Sequence, residues 1–204
     1  MIKIVQKVQE TSDLKWNKNT QKIVKNANAK MRMLLIASKF IGNKQDLLHI
    51  YQTFIRSRLE FSSVVWHSRL SRKNENDIER VQKSAVKLIM KENHSDNKNG
   101  LKTLGIETLF ERREKLCLKF AKKCLKIENF RKLFPLKKKV HDMEKRKVEK
   151  YFIKNVNTER FRNSAIPVMK KMLNEEEFKL KKALKKVDCV PREHCLFKPI
   201  SVKI

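Results

Sequence analysis

The sequence predicts an all-α protein: a helical bundle followed by a basic, partly irregular C-terminal extension. Three observations carry that expectation. Apolar residues recur at helical spacing over most of the first 125 positions. Glycine and proline are scarce, three and four in 204 residues, which leaves too few turns for an all-β sandwich. Ser, Thr and Asn stand just ahead of the periodic runs, where helix caps belong.

The elements follow in order. A first helix is expected from about Thr20 to Phe40, with Ile23, Ala27, Met31, Leu34, Leu35 and Ser38 on one stripe and Gly42 ending it. Asn43 caps a second, with Asp46 in its first turn and Leu47, Ile50, Tyr51, Phe54, Ile55 and Leu59 facing inward. A third follows Ser71 or Asn74 and buries Ile78, Val81, Ala85, Leu88 and Ile89. The polar run His94 to Asn99, with Gly100 after it, reads as a loop. Thr108-Leu109-Phe110-Glu111 is a capping box opening a long helix, and Pro135 closes that region. Beyond it, Tyr151-Phe152-Ile153 is expected as a short strand. Pro167 is expected to start a helix with Met169, Met172 and Leu173. Asn174-Glu175-Glu176-Glu177 caps a separate last helix with Leu180, Leu184 and Val187. The expected division is 1–135 for the bundle and 136–204 for the extension.

Charge bounds the function classes. Fifty Lys and Arg against 22 Asp and Glu give a net charge of +28, which attracts polyanions. Residues 110–150 are the densest part, with 16 basic and 6 acidic residues. The isolated glycines Gly42, Gly100 and Gly105 exclude a Gly-rich phosphate loop. Four scattered cysteines do not make a disulfide scaffold. No apolar stretch is long enough to span a membrane and the N-terminus carries no signal-peptide pattern, so an intracellular protein is expected.

Catalytic chemistry is poorly represented. All six Asp are isolated, so no carboxylates are nominated to converge on metal ions. Cys189, His194 and Cys195 lack the paired spacing of a zinc site, and Cys117 and Cys124 read as small buried hydrophobes. His49 and His67 sit beside apolar positions as structural histidines, and Trp16 and Trp66 read as core rather than base-stacking residues. The runs Lys137-Lys138-Lys139 and Lys145-Arg146-Lys147 fit a nuclear-import or nucleic-acid patch as well as a solvated linker. Neither a cofactor nor a metal is expected.

The helix opened by Thr108 is the candidate site. At about 100° per residue, with Leu116 at zero, Phe110, Cys117, Phe120, Ala121, Cys124 and Leu125 fall between about 40° and 180°. Arg112, Lys115, Lys119, Lys122, Lys123 and Lys126 fall between about 240° and 340°, and Glu111, Glu114 and Glu128 lie outside that window. The expectation is a continuous basic stripe with no acidic residue to pair with it, suited to tracking phosphates. Arg113, at about 60°, falls on the apolar side and is expected to cap or to pair internally.

An ordered series of short segments adds a resemblance. Asp13-Leu14-Lys15-Trp16-Asn17, Tyr51-Gln52-Thr53-Phe54-Ile55-Arg56, Leu59-Glu60-Phe61 and Val65-Trp66 come first. Ile78-Glu79-Arg80-Val81-Gln82-Lys83, Leu104-Gly105-Ile106, Arg112-Arg113, Phe130-Arg131-Lys132-Leu133-Phe134-Pro135 and Thr158 to Pro167 follow. Together, over roughly residues 13–173, they resemble the region after the palm in reverse transcriptases of non-LTR (LINE-type, jockey-like) retrotransposons. Asn19 stands where that family usually has His, and Ser57 where it usually has Pro. The resemblance implies a thumb-like helical region that holds a template–primer duplex. The catalytic aspartates of that family lie in the palm, in a motif this chain lacks, so it is expected not to be an enzyme on its own. The implied partner is nucleic acid (RNA, DNA or an RNA–DNA hybrid), with neither a membrane nor a small-molecule substrate, and the implied location is nuclear. The rival reading is a helical interaction protein or an inert retroelement remnant.

Overall fold

The computed structural model describes residues 16–91, 97–137, 149–155 and 157–188, with the side chains of 97, 98 and 181–188 outside the description. The described residues are mostly helical, and no β-strand occurs among them. Helix α1, Asn17–Phe40, buries Thr20, Ile23, Ala27 and Leu34 along one stripe and packs chiefly on α5, Arg72–Met90. Gly42 follows its end as expected, but Leu35 turns out to be exposed.

Between them, α2 (Lys44–Ile50) runs without a break through a π-helical turn, Tyr51–Arg56, into α3 (Ser57–Glu60). Asn43 caps it, accepting from the Gln45 N–H at 3.0 Å. Leu47, Tyr51, Ile55 and Leu59 are all fully buried. Four-residue steps would drift about 40° each around an ideal α-helix. The wider π turn removes much of that drift and holds the four on one face. Phe54, expected inside, is thereby left outside and nearly half exposed.

Ser62, in the left-handed region at φ 51°, turns the chain into α4 (Ser63–Trp66) and a 3₁₀ turn, His67–Arg69. Ser71 caps α5 by accepting from the Asn74 N–H, and Ile78, Val81, Ala85 and Ile89 line its buried side.

Residues 97–100, expected as loop, belong instead to α6, Asn97–Thr103; residues 92–96 lie outside the described residues. Gly100 is there for contact rather than for a turn. A Cβ on it would stand 2.7 Å from Cγ1 of buried Val86 on α5. Gly100→Ala should therefore lower stability by about 1–3 kcal/mol through overpacking, despite the roughly 1 kcal/mol that alanine gains in a helix. Val86→Ala in the same chain should recover most of that loss, and a thermal melt in which Gly100→Ala alone is stabilising would refute this helix contact. Gly105, at φ 63°, closes α6, and the Ile106 N–H reaches back to the Leu101 carbonyl at 3.0 Å.

Helices α7 (Leu109–Lys126) and α8 (Glu128–Arg131) lead to the C-terminal part, where α9 (Glu159–Arg162) precedes α10 (Ala165–Asp188). Two expectations are corrected here. Tyr151 makes a single antiparallel bridge with Leu136 rather than a strand. Asn174 does not cap a separate helix, because α10 is continuous through it. Its side chain is buried and clamps the extended backbone: Oδ1 accepts from the Lys150 and Tyr151 N–H groups, and Nδ2 donates to the Tyr151 carbonyl at 3.1 Å.

The apolar interior falls into two clusters. The larger runs from Trp16 to Leu109. The smaller joins Ala121 and Cys124 of α7 to Phe134, Tyr151, Met169 and Leu173, so residues from both sides of position 135 share one core. Helix α7 contributes buried residues to both clusters, and α4 reaches both through Trp66 and Val64.

Candidate nucleic-acid interface

The amino end of α7 is held twice. Its own capping box forms, with Thr108 Oγ1 accepting from the Glu111 N–H and Glu111 Oε2 accepting from the Thr108 N–H. Helix α5 caps it again from outside. Glu79 accepts from the Phe110 N–H at 2.8 Å, and Gln82 accepts from the Leu109 N–H at 3.0 Å while donating to the Glu107 carbonyl at 2.9 Å. Helix amino ends carry unpaired N–H groups and partial positive charge, so a carboxylate there is stabilised.

Arg113 lies under this cap, fully buried. Its Nε donates to His67 Nδ1 at 3.4 Å, one terminal nitrogen stands 3.6 Å from Glu79 Oε1, and the guanidinium lies 5.9 Å from the Trp66 ring centroid. Of the two roles expected of Arg113, capping or internal pairing, the fold gives it the second. Burial pushes the Glu79 carboxyl above its usual range, against the pull of Arg113 and of the two backbone N–H groups. Burial, and after it the charge of Arg113, pushes the His67 imidazole down to about 4. Both tryptophans are core residues, and Trp66 Nε1 donates to the Phe61 carbonyl at 3.0 Å. His49 is exposed rather than structural. Cys117 and Cys124 are buried and unbridged, and burial raises the Cys117 thiol to about 11.

The continuous unpaired stripe is not what the fold builds. Arg112 is ion-paired with Glu60 of α3, which also lies 3.7 Å from Arg56. Lys115 pairs with Glu107 in the α6–α7 connection, and Lys122 with Glu176 of α10 at 2.6 Å. A helical wheel sees acids only three or four positions away, whereas these come from 8, 52 and 54 residues away. Lys119, Lys123 and Lys126 remain exposed and take part in none of the ion pairs among the described residues. They follow one another at four- and three-residue steps over about 10 Å of helix. Phe110 and Phe120, expected to face inward, are 39% and 46% exposed.

The two flanks of α7 differ in charge. Where it faces α10, a cleft of about 620 Å³ is lined by Glu107, Glu111, Glu114, Glu175 and Glu176, with Lys115 and Lys179 among them. Burial and the neighbouring Glu175 and Glu111 raise the Glu114 carboxyl. That flank of α7 is mostly acidic, which leaves the exposed cations of the helix on the Lys119–Lys126 side and toward its carboxyl end. There Arg131 Nε donates to the Leu125 carbonyl at 3.1 Å, and Lys132 is exposed.

Among the described residues, no group of three His, Cys, Asp or Glu side chains could hold a metal ion, and no helix is long and apolar enough to cross a membrane. The basic runs 137–139 and 145–147 lie outside the described residues except for Lys137, which pairs with Glu149 at 3.2 Å; Cys189, His194 and Cys195 lie wholly outside. No family model, no curated protein and no solved structure matches this chain.

Proposed function

We propose that this chain is a non-catalytic helical module that binds nucleic-acid backbone, related to the post-palm, thumb-like region of a non-LTR retrotransposon reverse transcriptase. The observation that carries the binding reading is the row Lys119, Lys123 and Lys126. It is exposed and free of the ion pairs that neutralise Arg112, Lys115 and Lys122. Three unneutralised cations in line, on a protein of net charge +28, suit contact with successive phosphates and read no base edges. The retroelement origin rests on the ordered segments of the sequence. The fold gives several of them a joint packing role, since Glu60, Trp66, Glu79, Gln82, Arg112 and Arg113 meet around the amino end of α7.

The test is a salt titration of binding to an RNA–DNA hybrid, duplex DNA and single-stranded RNA. Removing one cation that touches a phosphate should flatten the slope of log K against log salt by roughly 0.7 to 0.9. Substituting Gln for Lys119, Lys123 and Lys126 should thus flatten it by about 2 to 3. The same change at the exposed Lys73, Lys83 and Lys87 of α5 should flatten it far less. Equal effects from both trios would mean diffuse attraction and defeat the assignment of the site to α7.

A further inference from the structure

Helix α1 carries a surface that no other described helix covers. Its inner stripe is spent on α5 and on α2–α3. At about 100° per residue, Lys18, Lys22, Lys25, Met33, Ile36 and Phe40 fall within roughly 80° of arc on the opposite side. Met33, Ile36 and Phe40 are exposed, Phe40 by 83%, the most of any large apolar side chain described. One face of one helix is therefore basic in its first half and apolar in its second. The helix contains Lys18, Lys22, Lys25, Lys30, Arg32 and Lys39 and not one Asp or Glu.

Those properties limit what can cover the face. A nucleic-acid duplex offers phosphates for the lysines but a hydrated, charged backbone to Ile36 and Phe40. A single strand could stack a base on Phe40 yet offers no apolar layer for Met33 and Ile36 together. A second copy would set an all-basic helix against itself, and a few exposed side chains fall well short of the roughly 800 Å² per partner of a standard interface. An anionic bilayer surface meets both halves: headgroup phosphates and carboxylates for the lysines, and the acyl boundary for Met33, Ile36 and Phe40. Flanking Arg32 and Lys39 have stems long enough to stay at headgroup level while the apolar side chains go deeper. The absence of a spanning helix among the described residues does not bear on this, because a helix lying in the interface need be apolar on one side only. We infer that α1 is a peripheral membrane-docking helix that lays its outer face on anionic phospholipid.

The experiment is co-sedimentation of the full chain with vesicles of phosphatidylcholine alone and of phosphatidylcholine with roughly one-third phosphatidylserine, whose negative surface potential draws basic segments, at low and high salt. Partitioning should be strong on the anionic vesicles and weak on the neutral ones. Ile36→Ser with Phe40→Ser should reduce anionic-vesicle partitioning about tenfold or more, given the transfer energies of those side chains. What binding the variant keeps should vanish at high salt, whereas the parent chain should hold part of its own. Both side chains are exposed, so the variant should melt with the parent and retain nucleic-acid binding. Failure to bind anionic vesicles, or equal binding by parent and variant, would overturn the inference. So would concentration-dependent self-association that the same two substitutions abolish, because it would assign the face to a second copy.

Discussion

Replacing Glu79 with Ala should cost roughly 3–5 kcal/mol of folding stability, the range seen when a buried charge loses its partner. Glu79 does two things at once. It accepts from the Leu109 and Phe110 N–H groups at the start of α7, and it is the carboxylate nearest the fully buried Arg113 guanidinium. Without it, Leu109 still has Gln82, but Phe110 loses its acceptor. Both terminal nitrogens of Arg113 already lack a hydrogen-bond partner, so the pair at 3.6 Å, the Trp66 face and the Nε hydrogen bond to His67 are what offset the desolvation of that charge. For a domain of ordinary stability, about 5–15 kcal/mol, such a loss leaves little margin. Glu79→Gln, which keeps an acceptor without the charge, should cost less. Glu79→Ala combined with Arg113→Met should recover a large part, because the stranded cation is gone and an apolar chain of similar length fills its place. Urea unfolding followed by tryptophan fluorescence measures all of these. A Glu79→Ala loss below about 1 kcal/mol, the scale of an exposed ion pair, or a double variant no more stable than the single one, would show that the pair does not hold α7 in place.

What could be read from the residues divides along a physical line. Features set within one turn of helix were legible. The caps at Asn43, Ser71 and Thr108 depend on a side-chain oxygen and an N–H two or three residues on, and all three form. Arg113 was legible because its azimuth put it among apolar neighbours, and the fold buries it. Features set by tertiary contact were not. The acids that neutralise Arg112, Lys115 and Lys122 reach α7 from α3, from the α6–α7 connection and from α10, and no helical wheel contains them. Glu175, Glu176 and Glu177 suggested a helix start because acids favour that position. In the fold, Glu176 and Glu177 pair with Lys122 and Lys150 from the middle of one long helix. Gly100 suggested a loop because its only local consequence is flexibility, and its contact with Val86 becomes visible only once α5 and α6 are packed. The site accordingly shrank from six cations to the three that no distant carboxylate reaches among the described residues.

Acid should destabilise the protein through His67 before it does so through surface carboxylates. The imidazole is buried against α7, with Arg113 Nε on its Nδ1 and the Phe110 ring edge-on at 5.2 Å. Burial and the Arg113 charge hold its pKa down to about 4, against the 6.5 of the unfolded chain. The unfolded state therefore binds a proton in a range where the folded state refuses it. The His67 contribution should fall as pH drops through 6.5 and should level off below about 4. The integrated cost across that window is about 3 kcal/mol. Glu79 works in the opposite sense, because a carboxyl held above its usual range takes up its proton earlier in the folded state and gains relative stability as pH falls. The comparison that isolates the imidazole is His67→Phe, which keeps an aromatic ring beside Phe110 and gives up the acceptor for Arg113. Giving up that acceptor lowers stability at every pH alike, so the baseline moves while the slope reports on the proton. Between about pH 7 and pH 5 the parent should lose on the order of 2 kcal/mol more than His67→Phe when urea midpoints are followed at each pH. Parallel curves would mean that His67 takes up its proton in the folded state as readily as in the unfolded one. In that case the imidazole is not sealed beneath α7, and the packing that seats Arg113 beside it is wrong.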